Sequence, residues 1–125
     1  PYADSLSTLQ SFFDSTFSAL RPSGRFISVV FNPNFDSFES SLGSRRFTRT
    51  DEGNVSVEFL NPRTQNIEFT SVLRQFPADV YEAAAKAAGF IGSQWKSLSP
   101  NEVGKTSMGE PFWSYCIANQ PYAIF

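Results

Sequence analysis

The stretch ALRPSGRFISVVFNPNF, residues 19–35, decides the fold because it changes character twice within seventeen positions. Ala19 and Leu20 end a helical pattern. Arg21-Pro22-Ser23-Gly24 stops it, since Pro22 cannot continue a helix and Gly24 is expected to take the positive φ of the turn. Phe26, Ile27, Val29, Val30 and Phe31 follow, broken only by Ser28. A half-wet strand alternates, and this one does not, so both of its faces are expected to be covered, as in a parallel α/β sheet. Asn32-Pro33-Asn34 closes the strand at its carboxyl end, where open α/β sheets place their ligands.

Upstream, Asp4 or Ser5 can cap a helix whose apolar residues Leu6, Leu9, Phe13, Phe17 and Leu20 recur three or four apart. Downstream, the period drops to two between about residues 47 and 73. There Val55, Val57 and Phe59 alternate with Ser56 and Glu58, and Ile67 and Phe69 with Glu68 and Thr70, which predicts an inserted antiparallel hairpin. Asn61–Asn66 supplies its loop, and Asp51-Glu52-Gly53-Asn54 reads as a second turn. In FPADVYEAAAKAAGF, residues 76–90, Pro77 opens a helix, Asp79 suits its positive end and Gly89 stops it. Val80, Ala83, Ala84 and Ala87 are expected to form its buried side. Residues 90–98 read as a strand containing Trp95, 99–109 as a polar loop, 111–118 as a short helix and 122–125 as the start of a last strand.

With 125 residues the chain is expected to form one domain spanning 1–125. Hydrophobic residues at 41% and 14 Phe supply enough core to offset chain entropy, which argues against disorder. A net charge of −2 gives no broad positive field, so no nucleic-acid partner is expected. Arg45, Arg46 and Arg49 form the one basic cluster, either a solvated hairpin edge or an anion site. No apolar run reaches the roughly 18 residues of a membrane span, and no signal peptide is evident at the start, so no membrane partner is expected. With a single cysteine, Cys116, no intrachain disulfide forms, and a reducing, cytoplasmic setting is the simplest expectation. The lack of His removes the usual Ser-His and Cys-His nucleophile systems and the commonest zinc ligand, so hydrolase and metal readings find little support.

The order of elements, with ALRPSGRFISVVFNP, VEFLNPRTQNIEFTSVLRQFPADVYEAAAKAAGF and GEPFWSYCIANQPYAIF, resembles class I S-adenosylmethionine-dependent methyltransferases of the small-molecule type. The first segment is similar to their Leu-Lys/Arg-Pro-Gly-Gly turn into the fifth strand, with Ser23 in place of the first Gly. The resemblance covers nearly the whole chain. It implies an α/β fold, the carboxy-terminal part of a Rossmann-like methyltransferase sheet: the last three strands, their flanking helices and the inserted hairpin. The family's cofactor-holding elements, an acidic residue and Gly-x-Gly after the first strand and an acid that grips the ribose, have no counterpart here. The chain is therefore expected to serve as the substrate-side half of an enzyme whose cofactor is S-adenosylmethionine, and to be inactive and a weak cofactor binder alone. The alternative is a non-catalytic, methyltransferase-like binding or scaffolding module that pairs with a partner chain.

The resemblance also implies site residues. Tyr2 and Ala3 match the segment just past the family's fourth strand, beside the cofactor, or else are a frayed terminus. Asn32, Asn34 and Phe35 match the loop after the fifth strand and would line the pocket of a small-molecule substrate, or else form an Asx-type turn. Trp113 and Tyr115 would cap an aromatic pocket, or else pack in the core. Asp36 and Glu39 read as solvated surface rather than as a catalytic base, Asp51 and Glu52 as turn residues, and Met108 and Cys116 carry no role. No catalytic residue is named. Because the family's fifth strand lies between the fourth and an antiparallel seventh, this half exposes one edge of Phe26–Phe31. Self-association, or pairing with a chain carrying the cofactor half, is expected there.

Overall fold

Helix α1 (Leu6–Ala19) starts where the sequence places its cap: the Ser5 hydroxyl accepts the Thr8 amide at 3.2 Å, which contributes about 1 kcal/mol. The computed structural model describes residues 3–38, 41–42, 45–50, 53–61 and 63–125, with the side chains at 41, 42 and 108 excepted. Tyr2, Glu39, Asp51 and Glu52 lie outside the described residues. After α1 come β1 (Val29–Phe31), β2 (Ser41–Leu42), β3 (Arg45–Arg49), β4 (Asn54–Leu60) and β5 (Ile67–Arg74). They are followed by α2 (Ala78–Ala88), β6 (Lys96–Ser97), α3 (Glu102–Met108), α4 (Glu110–Asn119) and β7 (Tyr122–Ile124).

The fold is mixed α/β, and every strand pairing among the described residues is antiparallel. One sheet has the order β1-β7-β6 and the other β2-β3-β4-β5. This corrects the expectation of a parallel sheet around residues 26–31. The strand there is only Val29–Phe31, and Ile27 and Val29 stand 73% and 54% exposed. The apolar run serves three environments instead of two covered faces. Val30 joins the core under α1 and α2, Phe31 joins the core under the second sheet, and Ile27 and Val29 stay outside.

The first core gathers Leu9, Phe13, Phe76, Tyr81, Ala84 and Ala85 around Val30, where α1 packs on α2. The buried side of α2 is Tyr81, Ala84 and Ala85, whereas Ala83 is exposed, as is Ala87. The ring of Tyr81 sets this rotation, because it buries far more area than the methyl groups of the stripe centred on Ala83 and Ala87. Gly89 ends α2 at φ 111°, and a β-carbon built there would stand 2.8 Å from the Phe17 ring. The second core is the inner face of β3-β4-β5, with Phe47, Val55, Val57 and Leu73 against Phe31 and Phe35. Phe112, Tyr115 and Cys116 of α4 cover its rim. The inserted hairpin therefore matches its predicted span and adds β2.

Three further differences have local causes. Positive φ falls on Ser23 (63°), and Gly24 does not take it. Gly24 is required for another reason: a β-carbon there would meet the Arg21 carbonyl oxygen at 2.8 Å. Gly24→Val is therefore expected to cost about 1 to 3 kcal/mol, read as a lower urea midpoint. The strand expected over 90–98 shrinks to Lys96–Ser97, and Ile91 is fully exposed. The loop expected over 99–109 contains α3, capped by Asn101, whose side-chain oxygen accepts the Gly104 amide at 2.8 Å. Its seven residues carry no apolar stripe to announce it. No helix among the described residues is long and apolar enough to cross a membrane.

Candidate functional site

Two cavities flank β1. The one at its carboxyl end measures about 280 Å³ and is bordered by Asn32, Asn34, Trp95, Lys96, Ser97 and Gln120. The structure thus brings together Asn32 and Asn34, two of the residues expected from the sequence. Their side chains differ in what they are free to do. Asn32 donates to the Gln120 carbonyl at 2.7 Å and accepts the Asn34 amide at 3.0 Å, an Asx turn that spends its amide on the corner itself. Asn34 is exposed, and its side chain makes no hydrogen bond to the described residues. Gln120 is engaged too: its side chain accepts from the Leu98 amide at 3.2 Å and donates to the Ile117 carbonyl at 3.1 Å. Asn34 and Lys96 are the groups this corner can turn toward a polar substrate.

Gln75 holds the corner from behind. Its side-chain nitrogen donates to the carbonyls of Asn32 at 2.8 Å, Phe35 at 3.0 Å and Pro33 at 3.2 Å. Removing the donor strands partly buried carbonyls, so Gln75→Ala is expected to cost about 1 to 3 kcal/mol. Gln75→Glu, which points an acceptor at the same oxygens, is expected to cost more. Urea midpoints of the two variants check the order.

The remaining expected residues lie elsewhere. Phe35 is 2% exposed and stacks edge-on with Phe31, Phe38 and Phe47, so its ring fills the second core. Trp113 donates from its indole to the Gly104 carbonyl at 2.7 Å, tying α4 to α3. Tyr115 packs at the rim of the second core. Ala3 lines the other cavity. Asp36 is exposed, as expected. Burial pushes the Cys116 thiol up, against a smaller opposing pull from the charge of Arg45, which leaves it a poor nucleophile.

The second cavity, about 310 Å³, runs past β1 and is bordered by Val29, Phe31, Arg45, Arg74, Tyr81 and Tyr122 among others. Sequence reasoning did not single out Arg74 or Tyr81, and it left Arg45 in the basic cluster. The structure divides that cluster. Arg46 pairs with Glu58 at 3.0 Å, Arg49 lies 4.4 Å from the centre of the Phe38 ring, and Arg45 donates to the Tyr122 hydroxyl at 2.9 Å.

Tyr81 is 3% exposed, with Phe76, Trp95 and Phe125 packed around its ring, and burial pushes its phenol up to about 12. Only the unfolded chain sheds this proton between pH 10 and pH 12. Stability present below pH 10 is therefore lost as pH rises through that window, by at most about 2 to 3 kcal/mol. Urea melts of the chain and of Tyr81→Phe are expected to diverge as pH rises through this range, the chain losing stability relative to the variant, because the variant lacks this loss.

Among the described residues no carboxylate borders either cavity. Among the described residues no cluster of three His, Cys, Asp or Glu is placed to hold a metal ion. A scan of protein-family models finds none that matches this chain, and a search of curated proteins returns no match.

Proposed function

We propose that this chain is the substrate-side, carboxy-terminal half of an S-adenosylmethionine-dependent methyltransferase for a small organic substrate, with the cofactor-holding half supplied by polypeptide outside these residues. The observation that carries the reading is the placement of β1. It runs antiparallel to the carboxy-terminal strand β7 on one side, has no described strand on the other, and delivers Asn32 and Asn34 to a cavity at its carboxyl end. That is the neighbourhood the resemblance assigns to the fifth strand. The residues present do not themselves make a cofactor site. Among the described residues no carboxylate borders either cavity to grip a ribose, and the two guanidinium groups that share a cavity with Ala3 would repel a sulfonium cation. In this reading Asn34 and Lys96 orient the substrate, and the corner braced by Gln75 holds them still.

Calorimetry with S-adenosylmethionine tests the proposal. This chain alone is expected to give no measurable heat, whereas a polypeptide joining it to an upstream segment with Gly-x-Gly after an apolar strand is expected to bind. Micromolar binding by the chain alone, about −8 kcal/mol, would overturn the division of labour. Absence of binding by the joined polypeptide would overturn the methyltransferase reading. The commitment of the Asn32 amide to an Asx turn favours a second reading, a non-catalytic module that keeps the fold and pairs with a partner. Binding of cofactor without methyl transfer by the joined polypeptide would select it.

A further inference from the structure

We propose that the outer edge of β5 is a self-association surface, to which a second copy of this chain adds its own β5 in antiparallel pairing. The inference is independent of the methyltransferase reading, which rests on β1 and the corner after it and assigns nothing to β5. β5 ends the order β2-β3-β4-β5, so one of its sides has no described strand. The Gln75 amide donates to the Gly53 carbonyl at 3.0 Å, which sets residue 75 toward β4. By antiparallel alternation the main-chain groups of Leu73, Ser71 and Phe69 also face β4, and those of Arg74, Val72 and Thr70 face outward. No backbone group of a described residue meets them there. The register slips between Phe59 and Leu60, so the regular stretch of β5 runs from Phe69 to Arg74, with Glu68 at its bulged end. Thr70, Val72 and Arg74 are exposed, Val72 at 62%, and neither Pro nor Lys guards this edge.

The charges on the strand choose the occupant and its direction. Glu68 stands at one end and Arg74 at the other, and neither forms an ion pair among the described residues. Glu68 accepts from the Asn61 side chain at 2.7 Å, while Arg74 lies 5.4 Å from the centre of the Phe76 ring and donates to the Asp4 carbonyl at 3.5 Å. A second copy running antiparallel, with Val72 on the two-fold axis, sets Val72 against Val72 and Thr70 opposite Arg74. Each Glu68 then lies diagonally beside the Arg74 of the other copy, within reach of two long side chains. Every outward-facing residue meets an outward-facing one, as pairs that exchange both backbone bonds. Parallel pairing in register would instead set Arg74 beside Arg74 and Glu68 beside Glu68, and like charges directly opposite destabilise. The strand is complementary to itself in one direction only.

Sedimentation and nuclear magnetic resonance on the intact chain test this. At submillimolar concentration the chain is expected to exchange between monomer and dimer, with the amide signals of Thr70, Val72 and Arg74 moving on dilution and those of Val29 and Phe31 staying still. Glu68→Arg and Arg74→Glu are each expected to weaken association at least roughly tenfold, because each sets like charges together. Val72→Lys, which puts two ammonium groups at the axis, is expected to do the same, and circular dichroism checks that these exposed substitutions leave the fold intact. Mixing the Glu68→Arg and Arg74→Glu chains is expected to restore association, since both arginines of one chain then meet both glutamates of the other. A chain that stays monomeric at submillimolar concentration would overturn the proposal. So would single variants that associate as tightly as the unaltered chain, dilution shifts at Val29 and Phe31 in place of those in β5, or a mixture no tighter than its folded components.

Discussion

Phe13→Ala is expected to remove about 3 to 5 kcal/mol of folding free energy, a large share of the roughly 5 to 15 kcal/mol that holds a domain together. Phe13 is 2% exposed, and its ring meets those of Phe12, Phe26, Phe90 and Phe125 at centroid distances of 5.6 to 6.4 Å. These partners come from α1, the segment before β1, the turn after α2 and the residue after β7. Truncation leaves a cavity that none of them can fill alone, because each is held by a different element. Phe13→Leu, which keeps most of the volume, is expected to cost less than half as much. Thermal and urea unfolding by circular dichroism check both variants, and unchanged midpoints for Phe13→Ala would mean that the four segments do not converge on this ring.

Phe47→Ala is expected to cost a similar amount, about 3 to 5 kcal/mol, with a different spatial signature. Phe47 is fully buried in β3 and contacts the rings of Phe31, Phe35 and Tyr122, so it joins the inserted sheet to β1 and β7. Amide exchange in this variant should rise first across β3, β4 and β5, while α1 and α2 keep their protection from the other core. Uniform acceleration across the chain would show that the two cores unfold as one unit.

The parts of the fold legible in the sequence are those whose signal is local. The Ser5 cap and the Leu9 and Phe13 stripe announce α1, and the alternation around Val55 and Val57 announces the hairpin. The run from Phe26 to Phe31 misled because apolar composition reports the wish to be buried and not the partner. With an antiparallel β7 on one side and nothing described on the other, Val29 and Ile27 remain outside. α3 was not legible because seven residues held by an Asn101 cap and a Lys105–Glu102 pair carry no hydrophobic period.

The candidate site divides in the same way. Asn32 and Asn34 share a corner because they share a turn, which sequence can show. Arg45, Arg74 and Tyr81 come from three separate elements, and only the packing of the inserted sheet against β1 and α2 brings them to one cavity. Phe35 was legible as an aromatic next to the corner but not as a core residue, since the face it takes depends on where Phe47 arrives.

Among the described residues β1 has one bonded edge and one open edge. Residue-resolved amide exchange on the chain alone, at a concentration where sedimentation shows a monomer, tests it most directly. Val30 and Asn32, which donate toward β7, are expected to be protected, and Val29 and Phe31 to exchange far faster despite lying in the same strand. Equal protection at all four positions would contradict the account, because it would require a bonded neighbour on the side that the structure leaves open.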